Sequence, residues 1–184
     1  WSRPSTWVDR ARALLVSGVA PSRALLLHLA VPARTSKDQL TRAWDEVIGP
    51  AIDAVVDSGN PVGLVLAGRL VEGVPEGQQE RIEAIRTAVE LGRIEVVATA
   101  MHEPVVGAIP VRDAIGQYVS HATLLRRLLG QRPTGGWIPH GLWDTGLPEV
   151  FDGAGLGWTT VERKQLERQG CPGAPALSIE RHGK

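Results

Sequence analysis

The segment "RIEVVATAMHEP" (residues 93–104) decides the fold. Its first eight residues form a short, mostly apolar run of strand length, and the run delivers His102 and Glu103 just past its end. A helical pattern precedes it. "EGQQERIEAIRTAVELG" (76–92) sets Ile82, Ile85 and Val89 at helical spacing and closes on Gly92, a natural residue for the left-handed end of a helix. A second helical pattern follows over 112–130, "RDAIGQYVSHATLLRRLLG", closed by Gly130.

The same alternation extends in both directions. "RALLLHL" (23–29) and "PVGLVLAG" (61–68) read as strands. Between them, residues 36–59 read as a helix that Ser36 caps, with Leu40, Trp44, Val47, Ile48, Ile52 and Val55 as its apolar stripe and Pro50 as the place for a kink. On the C-terminal side, "GGWIP" (135–139) is a short fourth strand, "LPEVFDGAG" (147–155) a short helix and "LGWTTVE" (156–162) a fifth strand. The first 20 residues hold room for one further helix around "WVDRARALLVSG".

Strands alternating with helices imply parallel βαβ units, an α/β class with a buried sheet of open or barrel form. Ligands in this class sit at the carboxyl ends of the strands. Those ends carry His28 (first strand), Arg69 and Glu72 (second), His102 and Glu103 (third), His140, Trp143 and Asp144 (fourth), and Glu162 and Arg163 (fifth). One rim therefore collects polar and aromatic side chains.

Composition narrows the partners. Among 184 residues, 43% apolar and 22% charged side chains suit a packed core, and twenty basic residues balance twenty acidic ones. A formal charge of zero gives no long-range attraction to nucleic acid or anionic lipid. No apolar run approaches the roughly 20 residues of a membrane span. The single cysteine, Cys171, excludes an internal disulfide framework. No secretory signal pattern is visible around Trp1, and a cytoplasmic location is the corresponding expectation.

Four segments carry a family resemblance: "LLLHLAVP", "GLVLAGRLVEGV", "LGRIEVVATAMHEPVVGAIPVRDAIGQ" and "RPTGGWIPHGLWDTGLPEVFDGAGLGWTTVE". In this order they resemble glycoside hydrolase family 57, which includes α-amylase-like, 4-α-glucanotransferase and glycogen-branching enzymes. The resemblance runs from about Leu25 to about Leu166. It implies the N-terminal part of an incomplete, seven-stranded (β/α) barrel of the type shared by glycoside hydrolases and deacetylases. It also implies an α-glucan or oligosaccharide as partner, no cofactor, and later strands in a C-terminal part of the same polypeptide that is missing here. The corresponding division is an N-terminal extension over 1–22, the barrel portion over 23–166 and a tail over 167–184.

The resemblance assigns residues one by one. The family's G-x-W-L-x-E-R-x-W strand corresponds to Trp137, Ile138, Pro139 and Trp143, with His140 where the nucleophilic glutamate stands and Gly141 where the arginine stands. Its H-x-H-Q-P motif is matched at His28 and Pro32, with Ala30 and Val31 between them. Its Y-E-P motif is His102-Glu103-Pro104, so that carboxylate is kept. Its V-D-D-x-H-F motif becomes residues 161–166, with Gln165 in place of the histidine. The general acid is an aspartate on a later strand. The candidate catalytic residues are thus His140, by position, and Glu103, and the candidate substrate-binding residues are His28, His102, Trp143 and Trp137.

Each has a plain structural alternative. His28 can be a satisfied core histidine, Glu103 a bond to its own loop, and His140 a residue left at a decayed site. Trp137 is expected in the core and Trp143 at the rim. Trp44 is expected to pack, Asp144 to cap the helix after it, and Arg69 to be solvated or paired with Glu72. His121, in mid-helix, and His182, in the tail, take no role. Three readings of function stand: an α-glucan-active hydrolase or transglycosidase, a non-catalytic carbohydrate-binding or regulatory barrel, and a metal-dependent hydrolase or deacetylase built on His28, His102, Glu103 and His140.

Overall fold

The structure, a computed structural model, describes residues 25–162 and 164–165. The helix expected near the N-terminus, Arg163 and the tail lie outside these residues. Five parallel strands form one sheet in chain order: β1 (Leu25–Leu29), β2 (Val62–Leu66), β3 (Ile94–Ala98), β4 (Gly135–Gly136) and β5 (Trp158–Thr159). β2 reads as a continuous apolar run and is buried at every position, as in a parallel strand covered on both faces. β4 and β5 are shorter than the runs 135–139 and 156–162 suggested. Only two residue pairs of each, Gly135↔Trp158 and Gly136↔Thr159, keep ladder geometry before Pro139, which has no N–H to offer, leads the chain out of the sheet.

The helices are α1 (Lys37–Ala43), α2 (Gly49–Ser58), α3 (Gly68–Glu72), α4 (Gln79–Glu90), α5 (Val111–Leu129) and α6 (Leu147–Ala154). Ser36 caps α1 in a full capping box: its hydroxyl accepts from Gln39 N–H, and the Gln39 side chain accepts from Ser36 N–H. Between α1 and α2 runs a π turn, Trp44–Ile48, where Gly49 N–H reaches back five residues to the Trp44 carbonyl. The irregularity attributed to Pro50 is therefore spread over the preceding turn. Proline supplies no N–H for the carbonyl four residues back, and widening the turn relieves the ring clash.

Two apolar clusters fill the space between sheet and helices. The larger joins β1–β3 to α1–α5 around Leu64, Leu66, Leu70, Ile85 and a fully buried Trp44. The smaller joins β3 and α5 to α6 around Tyr118, Ile138, Leu147 and Phe151, with the Tyr118 and Phe151 rings edge to face at 5.1 Å. Gly135 has a local reason: a Cβ there would collide with the Trp158 indole on the neighbouring strand. Among the described residues no helix is long and apolar enough to cross a membrane.

Candidate functional site

The carboxyl ends of β1, β3 and β4 meet at Glu103. Its Oε1 accepts from Nε2–H of His28 at 2.9 Å, and both side chains keep partial contact with solvent. Its backbone carbonyl accepts from Nε2–H of His140 at 3.0 Å. Glu103 therefore ties a β1 histidine to the loop after β4. On the other side of His28 lies the Trp137 ring, 5.5 Å between centroids and tilted by 35°.

The backbone at this node is unusual. Glu103 (φ 47°) and His140 (φ 62°) have positive φ, and they are the non-glycine residues that do so among those described. Left-handed backbone is costly for a residue with a Cβ, about 1–3 kcal/mol. At Glu103 it is more so, because the residue before a proline favours extended backbone. Three bonds hold the conformation: Glu103 N–H to the Ala100 carbonyl at 2.9 Å, the carboxylate to His28, and the carbonyl to His140.

Neighbouring loops are fastened to the same point. Tyr118 on α5 donates its hydroxyl to the Trp137 carbonyl at 2.9 Å. Burial, with a smaller contribution from the Glu103 charge, pushes the Tyr118 phenol well above its ordinary pKa, so it stays a neutral donor. Gln165, after β5, donates Nε2–H to the Gly141 carbonyl at 2.5 Å and links the fifth-strand loop to the fourth. Asp144 accepts from Gly146 N–H at 2.8 Å, forming a turn ahead of α6 rather than a cap on its first N–H groups.

The structure thus brings together His28, Glu103, Trp137 and His140. It does not bring His102 and Trp143 to the same contact. The His102 side chain is exposed and lines a separate open depression of about 630 Å³ with Arg112, Asp113, Gly116 and Gln117, on the outer face of α5. Both tryptophans are half-buried: Trp143 packs against the smaller apolar cluster, and Trp137 meets the ring of His28. Arg69 donates to the Thr35 carbonyl at 3.0 Å. Among the described residues no three His, Cys, Asp or Glu side chains are grouped to hold a metal ion.

His121, to which the sequence reading gave no role, has a defined place in the structure. His121 is fully buried, accepts Thr99 N–H on Nδ1 at 3.0 Å and donates Nε2–H to the Leu66 carbonyl at 2.8 Å. Both ring nitrogens are committed, so the tautomer is fixed. Burial pushes its pKa down to about 4, against the opposing pull of the Leu66 bond and the Glu103 charge. The available signal was a polar residue falling on the buried stripe of Tyr118, Ala122 and Leu125.

Comparison with known proteins places this geometry in a family. The model of glycosyl hydrolase family 57 matches residues 32–176. A 4-alpha-glucanotransferase of Thermococcus kodakarensis is 26% identical over 121 residues, covering 65% of this chain and 18% of that protein. An alpha-amylase of Pyrococcus horikoshii is 23% identical over 124 residues, covering 67% and 19%. Among solved structures, the 4-alpha-glucanotransferase of Thermococcus litoralis superposes with a TM-score of 0.67 at 22% identity, over 74% of this chain and 21% of that one. The chain spans about a fifth of the length of the curated relatives it matches. With the family model covering well over half of its residues, this chain belongs to glycosyl hydrolase family 57.

Proposed function

We propose that the chain supplies the first five strands of an α-glucan-recognising barrel, and that position 140 in it positions the site instead of forming a covalent intermediate. The observation that carries this reading is the bond from His140 Nε2–H to the Glu103 carbonyl. A retaining glycosidase needs two carboxyl groups about 5–5.5 Å apart, one of them nucleophilic. Where the family resemblance puts the nucleophile, this rim has an imidazole whose Nε2–H is already committed to the main chain. An imidazole does not form the glycosyl ester on which the retaining mechanism relies. Losing such a group removes several kcal/mol of transition-state stabilisation. Glu103, fixed by His28, whose ring in turn lies near that of Trp137, keeps the character of a sugar-orienting group: a carboxylate to accept hydroxyl protons.

The test uses the protein of the complete reading frame. Maltoheptaose should bind by calorimetry, with no reducing sugar released and no redistribution of chain length at high protein concentration. H140E should leave binding intact and raise turnover, provided the later strands supply the general acid. Absence of maltoheptaose binding would sink glucan recognition.

Family membership favours a second reading, an active hydrolase or transglycosidase whose covalent carboxylate comes from elsewhere. Turnover by the wild type that survives H140A would establish it.

A further inference from the structure

The seam between β2 and β3 opens in an unusual way. Its register pairs Val62 with Ile94, Gly63 with Glu95 and Leu64 with Val96, and Val62 N–H donates to the Arg93 carbonyl at 2.9 Å. Carried on by the parallel rule, this pattern places Leu66 opposite Ala98 and makes Thr99 N–H the donor for the Leu66 carbonyl. Those are the two groups that His121 joins: Thr99 N–H to Nδ1, and Nε2–H to the Leu66 carbonyl. The ladder pairing ends at Leu64↔Val96, and beyond it the imidazole occupies the place of the bond that Thr99 N–H would make to the Leu66 carbonyl. A direct bond spans about 2.9 Å. A ring with a hydrogen bond at each end spans more than twice that, so the two strands part here.

The neighbouring seams do not open. β1 stays paired with β2 through Leu29↔Leu66, and Ala67 N–H reaches the Leu29 carbonyl at 2.9 Å. β3 stays paired with β4 through Ala98↔Gly136, and Trp137 N–H reaches the Ala98 carbonyl at 2.6 Å. The chain leaving β3 uses the gap. Residues 99–103 turn across the end of β2, close enough to Gly68 that a Cβ there would collide with the Met101 carbonyl. They end with the Glu103 carboxylate on His28 of β1, two strands away.

We infer that His121 is a positioning residue for the rim: a spacer set into the β2–β3 ladder that routes residues 99–103 over β2 and brings Glu103 to His28. It touches no ligand and acts through Thr99 and the turn that follows. The consequence for glucan affinity rests on the proposed function; the routing itself does not.

The experiment uses isotope-labelled full chain and three variants. In the wild type, a coupling across the hydrogen bond should connect Thr99 N–H with His121 Nδ1, and the hydrogen of His121 should reside on Nε2. H121Q, whose amide can accept from Thr99 and donate to Leu66, should keep the resonances of His28, Glu103 and His140 at their wild-type positions. H121A lets the strands close on the direct Thr99-to-Leu66 bond. It should keep Thr99 N–H protected from exchange, displace the resonances of those three residues and weaken maltoheptaose binding about tenfold. H121M, which fills the space and bonds neither strand, takes the place of H121A if that variant does not fold, and should displace the same resonances. Absence of the Thr99–His121 coupling overturns the proposal. So does a folded H121A or H121M whose His28, Glu103 and His140 resonances have not moved. A wild type that shows the coupling and binds no maltoheptaose keeps the routing and removes the glucan reading instead.

Discussion

His140 and Glu103 each sit in left-handed backbone, and the Nε2–H of one is donated to the carbonyl of the other at 3.0 Å. The two costs are coupled, because the bond exists only while both residues hold that conformation. This gives the pair a signature in mutants. H140A keeps the unfavourable φ and loses the bond, and should destabilise the chain by about 1–2 kcal/mol. H140G loses the same bond but relaxes the φ, and should recover about 1 kcal/mol of that loss. Urea unfolding of the two variants side by side checks the order, and H140A at least as stable as H140G would contradict it.

Glu103 should matter far more for binding than for folding. Its hydrogen bond with His28 is partly exposed, and such bonds contribute about 1 kcal/mol. E103A should therefore move the unfolding midpoint little while weakening maltoheptaose binding by at least about tenfold, as read by calorimetry. Wild-type affinity in E103A would mean that the carboxylate serves only its own loop.

His121 gives the protein an acid limit. Its pKa lies near 4 when folded, against 6.5 for the free side chain. The unfolded chain therefore takes up the proton first as pH falls. The stability at stake is complete above about pH 6.5 and drains away between there and about pH 4, amounting to roughly 3 kcal/mol. H121Q cannot titrate. The difference in unfolding free energy between wild type and H121Q, followed by denaturant titration over this range, should shrink as pH drops. A constant difference would show that His121 is not held neutral.

Gly68 carries the turn that passes over β2. A methyl group there meets main-chain atoms of Met101, which cannot rotate away. G68A should cost about 1–3 kcal/mol and shift the resonances of His102 and Glu103. Thermal unfolding and an amide spectrum would show both, and an unshifted Glu103 would mean that the turn has slack.

The strand ends were legible because their signal is local. An apolar run that stops at a histidine or glutamate marks where a buried strand reaches the rim, and His28, Glu103 and His140 all lie at such stops. Which side chains then meet is a matter of main-chain detail that a run of letters does not carry. Trp137 lies beside the His28 ring, and Trp143, after the chain has turned at Pro139, packs partly against the smaller apolar cluster. The contacts of His121, noted in the sequence without a role, were illegible for a different reason. A single polar residue on an apolar helical stripe reads the same whether it is solvated at an edge or clasped by two carboxyl-terminal strand ends. The shortness of β4 and β5 likewise follows from where the ladder stops bonding, a property of pairs of strands.

The π turn has a consequence for how this helical arm tolerates change. Leu40, Trp44, Ile48 and Ile52 are all buried, and each follows the last by four residues. In a regular α-helix that interval overshoots a full turn by about 40°, so three steps would carry Ile52 well around the cylinder from Leu40. The wide turn over Trp44–Ile48 takes up the overshoot and keeps all four on one side. Loss of a single codon in this stretch would let the wide turn tighten into a regular α-helix. With eleven steps of about 100° in place of twelve between Leu40 and Ile52, Ile52 would still return to the interior, so the arm carries a spare residue that it can lose without turning its buried side outward.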